Sequence, residues 1–132
     1  MKILVVGGAG YVGGGIVDTL SKKNEITVYD SLIYESAFRK DVNFIYGDIR
    51  DYKKINSILN NFDAVVWLAA LVGDGACSIN PTLTHEINSE TVKNLVKNFN
   101  GKIKRNIGNK SITEVEAKSN LIPSIRHKIN WE

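Results

Sequence analysis

At 132 residues the chain is long enough for one domain with a single hydrophobic core, and too short for a cofactor domain joined to a separate substrate domain. A hydrophobic fraction of 43% with 23% charged residues is an ordinary globular mixture, which excludes a disordered polypeptide, and a single cysteine, Cys77, excludes a disulfide scaffold. The net charge of +3 comes from the end of the chain: residues 1–100 carry 10 Lys/Arg against 11 Asp/Glu, and residues 101–132 carry 7 against 3. Those basic residues are scattered among Asn, Ile and Ser and form no run, so neither nucleic acid nor a membrane is an expected partner. The apolar run Ile3–Val6 is too short for a signal sequence, which places the chain in the cytoplasm as an expectation.

Lys2–Val6 is a short apolar run ending at glycines and predicts a strand buried on both faces. From Tyr11 to Lys23 the residues Val12, Ile16, Val17 and Leu20 recur at helical spacing. Strands are predicted at Ile26–Asp30 and Val42–Tyr46; Asp51 then caps a helix that buries Ile55, Ile58 and Leu59. A fourth strand, Ala64–Leu68, precedes Asn80 and Pro81, a cap and first-turn pair for a helix burying Leu83, Ile87, Val92, Leu95, Val96 and Phe99. Strand and helix in strict alternation predict an α/β fold of Rossmann type, a parallel sheet of order 3-2-1-4 with right-handed crossovers and helices on both faces. After Asn100 the pattern weakens to one ragged fifth strand, Ile103–Ile107. Residues 1–100 therefore read as the dinucleotide-binding domain, and 101–132 as its basic, irregular tail.

The segment Gly7-Gly8-Ala9-Gly10-Tyr11-Val12-Gly13 lies between a predicted strand and a predicted helix. Gly7, Gly10 and Gly13 fit G-x-x-G-x-x-G, while Gly8, Gly10 and Gly13 fit G-x-G-x-x-G. Either spacing gives a tight turn, close backbone approach to a pyrophosphate, and a helix N-terminus whose N–H groups face the phosphates. Asp30 closes the second strand, where a carboxylate accepts hydrogen bonds from an adenosine ribose. That selects NAD, because a 2′-phosphate would meet like charge and no Arg or Lys follows until Arg39. Asp48, after the third strand, is placed to reach an adenine amino group. His85 and His127 have no partners at ligand spacing, so no metal is expected, and Cys77 reads as a packed thiol.

Taken together, VVGGAGYVG, VYDSL, FIYGDIRD and VVWLAALVGD resemble the successive landmarks of the extended short-chain dehydrogenase/reductase family, which contains the NAD-dependent nucleotide-sugar epimerases and dehydratases. The resemblance covers residues 1 to about 99. It selects Gly7, Gly10 and Gly13, with Tyr11 and Val12 in the same motif. It also implies Asp30 at the ribose, Asp48 and Ile49 at the adenine, and Leu68, Ala69 and Ala70 beneath the cofactor. Asn88 matches the first position of the family's N-x-x-G-T motif. Four positions depart from the pattern: Val6 stands where Thr is frequent, Trp67 where His is usual, Gly75 where Pro is common, and Thr91 where the motif has Gly.

The 132 residues contain no Tyr-x-x-x-Lys, since the residues four beyond Tyr11, Tyr29, Tyr34, Tyr46 and Tyr52 are Gly15, Ile33, Phe38, Arg50 and Asn56. In the family that tyrosine exchanges a proton with a sugar hydroxyl. In a weak register of the tail Lys128 matches the lysine and Ser124 falls at the tyrosine, and Lys128 reads as a solvated residue. The expectation is thus the NAD-binding domain of an epimerase or dehydratase, shortened so that cofactor binding outlasts catalysis, with a nucleotide sugar as a further ligand. The alternatives are a non-catalytic NAD-binding or regulatory module, or a gene fragment without independent function. An uncovered fourth strand, AVVWLAA, would offer an open sheet edge, from which self-association is expected.

Overall fold

In a computed structural model the described residues are 1–100 and 102–105. The elements in chain order are β1 (Lys2–Val6), α1 (Tyr11–Leu20), β2 (Glu25–Asp30), β3 (Asn43–Tyr46), α2 (Tyr52–Leu59), β4 (Ala64–Trp67), α3 (Asp74–Ile79), α4 (Pro81–His85), α5 (Thr91–Asn98) and β5 (Lys102–Arg105), so the expected alternation holds except that β2 and β3 have no helix between them. Between α4 and α5 lies one π-helical turn, Glu86–Glu90. The sheet is parallel, in the order β3-β2-β1-β4-β5. The predicted order 3-2-1-4 holds and the fifth strand is real.

The apolar run of β1 is continuous because both faces of the sheet are covered. On one face Leu4, Val6, Tyr29, Val65 and Trp67 pack with Ile55 and Leu59 of α2 and Val92 and Leu95 of α5. On the other, Ile3, Val5, Ile26, Val28 and Val66 pack with Val17 of α1. Phe38 and Phe44 stack beside that second cluster with their ring centroids 4.8 Å apart. The helix starts follow the sequence: Asp51 accepts from the Lys54 N–H at 3.0 Å, and Asn80 accepts from the Leu83 N–H at 3.0 Å with Pro81 in the first turn.

Three expectations are corrected. Val12 is 56% exposed, because Gly13 takes the inward position at the start of α1. A short helix, α3, occupies part of what reads in the sequence as a loop. The outer edge of β4 is not open: β5 pairs along it from Ala64↔Lys102 to Trp67↔Arg105, so the ground for expecting self-association at that edge is gone. The predicted strand Ile103–Ile107 begins one residue earlier, at Lys102, and its last two positions fall outside the described residues, as do Ser124, His127 and Lys128.

Candidate functional site

All strands of the parallel sheet end on the same side, and the carboxyl ends of β1 to β4 open onto one cleft of about 790 Å³, solvent at its mouth included. This is where an open α/β sheet places its ligands, since the loops leaving the strands diverge there. Gly7, Ala9 and Gly10 form one wall, Asp30 to Glu35 the next, Gly47 to Arg50 a third, and Leu68 to Leu71 with Ile87 the floor.

The glycine wall is shaped by two close approaches. Gly7 has φ of +83°, and a Cβ there would stand 2.6 Å from the Ala69 N, so the turn and the floor are in backbone contact. A Cβ on Gly13 would collide with the Gly7 carbonyl and with Gly8, which is how α1 comes so near to the end of β1. Gly10, by contrast, has only the Gly7 carbonyl within 4 Å of its would-be Cβ, at 3.6 Å. As the N-cap of α1 it supplies no side-chain acceptor, and the first N–H groups of that helix have no side-chain cap.

Asp30 joins two walls. Its carboxylate accepts from the Ala9 N–H at 3.0 Å through Oδ2 and from the Leu32 N–H at 2.8 Å through Oδ1. Leu32 is held at φ +54°, the left-handed region that non-glycine residues seldom enter, and it lines the cleft. Each carboxylate oxygen has a second accepting direction for a further donor.

The third wall rests on Tyr29, fully buried beneath it. The Tyr29 hydroxyl donates to the Asp48 carbonyl at 2.9 Å, and Gly47 has no side chain because the Tyr29 ring occupies that space. Burial, helped by Asp51 and Asp48, pushes this phenol up to about 12, so it remains a donor at any ordinary pH. The Asp48 carboxylate is turned toward Arg50, which reaches it at 2.6 Å through the guanidinium and at 2.8 Å through the backbone N–H. These hydrogen bonds hold the Asp48 carboxyl below the usual carboxylate range against the opposing effect of burial.

The floor is tied down along its length. Leu68 and Ala69 donate backbone N–H groups to the Val6 carbonyl at 2.8 and 3.1 Å, and the Trp67 indole N–H donates to the Ala69 carbonyl at 3.1 Å. The indole that stands in place of the family's histidine thus braces the floor from below. Among the described residues no three His, Cys, Asp or Glu side chains form a group that can hold a metal, and no helix is long and apolar enough to cross a membrane.

The cleft brings together Gly7, Gly10, Asp30, Asp48, Ile49, Leu68, Ala69 and Ala70 of the residues singled out in the sequence. Tyr11, 99% exposed, and Val12 stand outside its lining, and Gly13 lies buried behind the turn. Sequence reasoning missed Ala9, the segment Ser31 to Glu35, Arg50, Leu71 and Ile87. Ala9, Ser31, Leu32, Arg50 and Leu71 fall within the quoted motifs without being singled out there, and Arg50 is a cation two residues from Asp48; Ile33 to Glu35 and Ile87 left no signal as cleft residues.

The profile of the NAD dependent epimerase/dehydratase family matches residues 3–108. The chain belongs to that family. A probable UDP-arabinose 4-epimerase 3 from Oryza sativa is 34% identical over 105 residues, covering 68% of this chain and 26% of its own length. A UDP-glucose 4-epimerase from Klebsiella pneumoniae is 32% identical over 93 residues, covering 61% of this chain and 67% of its own. Among solved structures, the UDP-glucose 4-epimerase of Thermus thermophilus in complex with NAD superposes with a TM-score of 0.66 at 31% identity, over 74% of this chain and 33% of that one. This member of the family therefore spans about a quarter of the rice relative and a third of the Thermus enzyme.

Proposed function

We propose that the cleft binds NAD, as the cofactor domain of a nucleotide-sugar epimerase or dehydratase. The carrying observation is the Asp30 carboxylate, fixed by Ala9 of the glycine turn on one side and by Leu32 on the other. It stands at the end of β2 beside a helix N-terminus with no side-chain cap, the pairing of ribose acceptor and phosphate donor that a dinucleotide requires. In this reading Gly7, Gly10, Tyr11, Val12 and Gly13 form the pyrophosphate turn. Asp30 accepts from the ribose hydroxyls, Asp48 and Ile49 meet the adenine, and Leu68, Ala69 and Ala70 lie beneath. The open space at Gly10 and the apolar floor fit that ligand. When bound, NAD supplies a hydride acceptor; the residues of the chain bind it, orient it and keep water from its floor.

Titration with NAD and NADP at equal ionic strength tests this. NAD is expected to bind more tightly, because Asp30 and Glu35 on the ribose wall repel a 2′-phosphate. Equal or tighter binding of NADP would overturn the assignment.

Turnover is a separate matter, and the lack of a Tyr-x-x-x-Lys in the 132 residues favours a second reading, a module that binds NAD without acting on a sugar. Purified chain incubated with NAD and UDP- or dTDP-sugars should give no epimer and no keto-sugar. Turnover abolished by changing Ser124 or Lys128 would decide for catalysis.

A further inference from the structure

Asn88 makes an uncommon pair of bonds to one backbone unit. Its Oδ1 accepts from the Leu71 N–H at 2.8 Å and its Nδ2 donates to the Leu71 carbonyl at 2.8 Å, so that one amide side chain pairs with Leu71 as a neighbouring strand would. Leu71 is the last residue of the cleft floor, beyond the points where Val6 and Trp67 hold it.

The aim of Asn88 is set by the π-helical turn in which it lies. There the Thr91 N–H reaches back five residues to the Glu86 carbonyl, and the Thr91 hydroxyl donates to the Ile87 carbonyl at 2.6 Å. Thr91 is fully buried, while Ile87, between these two bonds, lines the cleft. A π turn widens the helix locally and changes which residues share a face; such turns recur at functional sites. Thr91 is also the position at which the family motif has glycine, which has no hydroxyl to make this bond.

We infer that Asn88 and Thr91 are positioning residues for the cofactor cleft: the Thr91 hydroxyl secures the π turn, the turn aims Asn88, and Asn88 fixes the far end of the floor at Leu71. This rests on the cleft being the NAD site. The Asn88–Leu71 link spans 17 residues of chain, and its bonds are part-buried, where leaving a backbone group unpaired is costly.

The test compares wild type with Thr91→Val, Thr91→Ser, Asn88→Leu and Asn88→Asp. It reads NAD affinity by calorimetry, amide hydrogen exchange at Leu71, and the urea midpoint. Thr91→Val keeps the side-chain volume and removes the hydroxyl; it should weaken NAD binding by about tenfold, the effect of one or two lost hydrogen bonds, and speed exchange at Leu71 but not at Leu68 or Ala69. Thr91→Ser should restore both, which an effect on folding alone would not require. Asn88→Leu should expose the Leu71 amide, and Asn88→Asp, retaining an acceptor for that amide but no donor to the carbonyl, should weaken NAD while protecting it. If Thr91→Val does not fold, the two Asn88 variants decide. Wild-type affinity and wild-type Leu71 exchange in the variants that fold would overturn the inference. If wild type itself binds no NAD, the proposed function fails instead, and Leu71 exchange still judges the link between Thr91, Asn88 and the floor.

Discussion

Three glycines in succession at the start of α1 show how differently one residue type is used. Gly13 is required by contact with the Gly7 carbonyl, whereas Gly15 has nothing within 4 Å of its would-be Cβ. Gly15→Ala should therefore raise stability by about 1 kcal/mol, read as a higher urea midpoint at unchanged slope. Gly7→Ala should lower it by about 2 kcal/mol or more, since both its φ of +83° and the Ala69 backbone forbid a side chain. Asp48 gives a pH-dependent case. Folding lowers its pKa through the hydrogen bonds from Arg50, so the stabilisation is fully present above the unfolded value of about 3.9 and is lost as pH falls through the lowered one. Both side chains are 40% exposed, which limits the pair to about 0.5–1 kcal/mol. Asp48→Asn should cost that much at pH 7 and progressively less as pH falls through the lowered pKa, and a penalty independent of pH in urea titrations would refute the assignment.

At the scale of elements, the sequence was legible wherever local chemistry and burial agree. Asp51 and the Asn80-Pro81 pair announce their helices, and Asp51→Ala or Asn80→Ala should each cost about 1 kcal/mol in thermal or urea unfolding. The glycine turn, Asp30, Asp48 and the floor Leu68 to Ala70 were readable because each sits at a strand end, and strand ends in a parallel sheet share one side. The π turn was not readable: the spacing of Leu83, Ile87 and Val92 fits a helix with or without one extra residue, and Ile87, buried as expected, gave no sign that it also lines the cleft. The segment after Asp30 was equally hidden, since the Asp30 carboxylate accepting the Leu32 N–H makes an Asx turn that an Asp at a strand end permits but does not announce. Val12 was misjudged because periodicity counts apolar residues and overlooks a glycine in the inward position.

For the whole molecule, the pairing of β5 with β4 decides how the sheet ends. Adjacent prolines at Ile103 and Lys104 would remove two successive N–H donors, one of which faces β4 whichever way the ladder alternates. That double variant should open the β4 edge, speed exchange at the amides of Val65 to Trp67, and give larger species by light scattering in a dilution series. The unaltered chain should keep those amides protected, and rapid exchange there would refute the pairing.

The position of β1 at the middle of the sheet also sets an order of assembly. Ile3 pairs with Ile26 on one side and with Ala64 on the other, so β1 is completed only by a strand that follows it by about sixty residues. Ala64 follows Ile26 by about 38 residues, so at synthesis rates of roughly 5–20 residues per second there is an interval of about 2 to 8 s in which β1 can have β2 as a neighbour but not β4. Parallel pairings of such long range form slowly, because the loop must close before the contacts reward it. During that interval the nascent chain carries an apolar ribbon with one flank unclaimed. Slower elongation lengthens the exposure and earlier capture by a chaperone shortens it, so recovery of native chain should depend on translation speed even where the finished fold is equally stable.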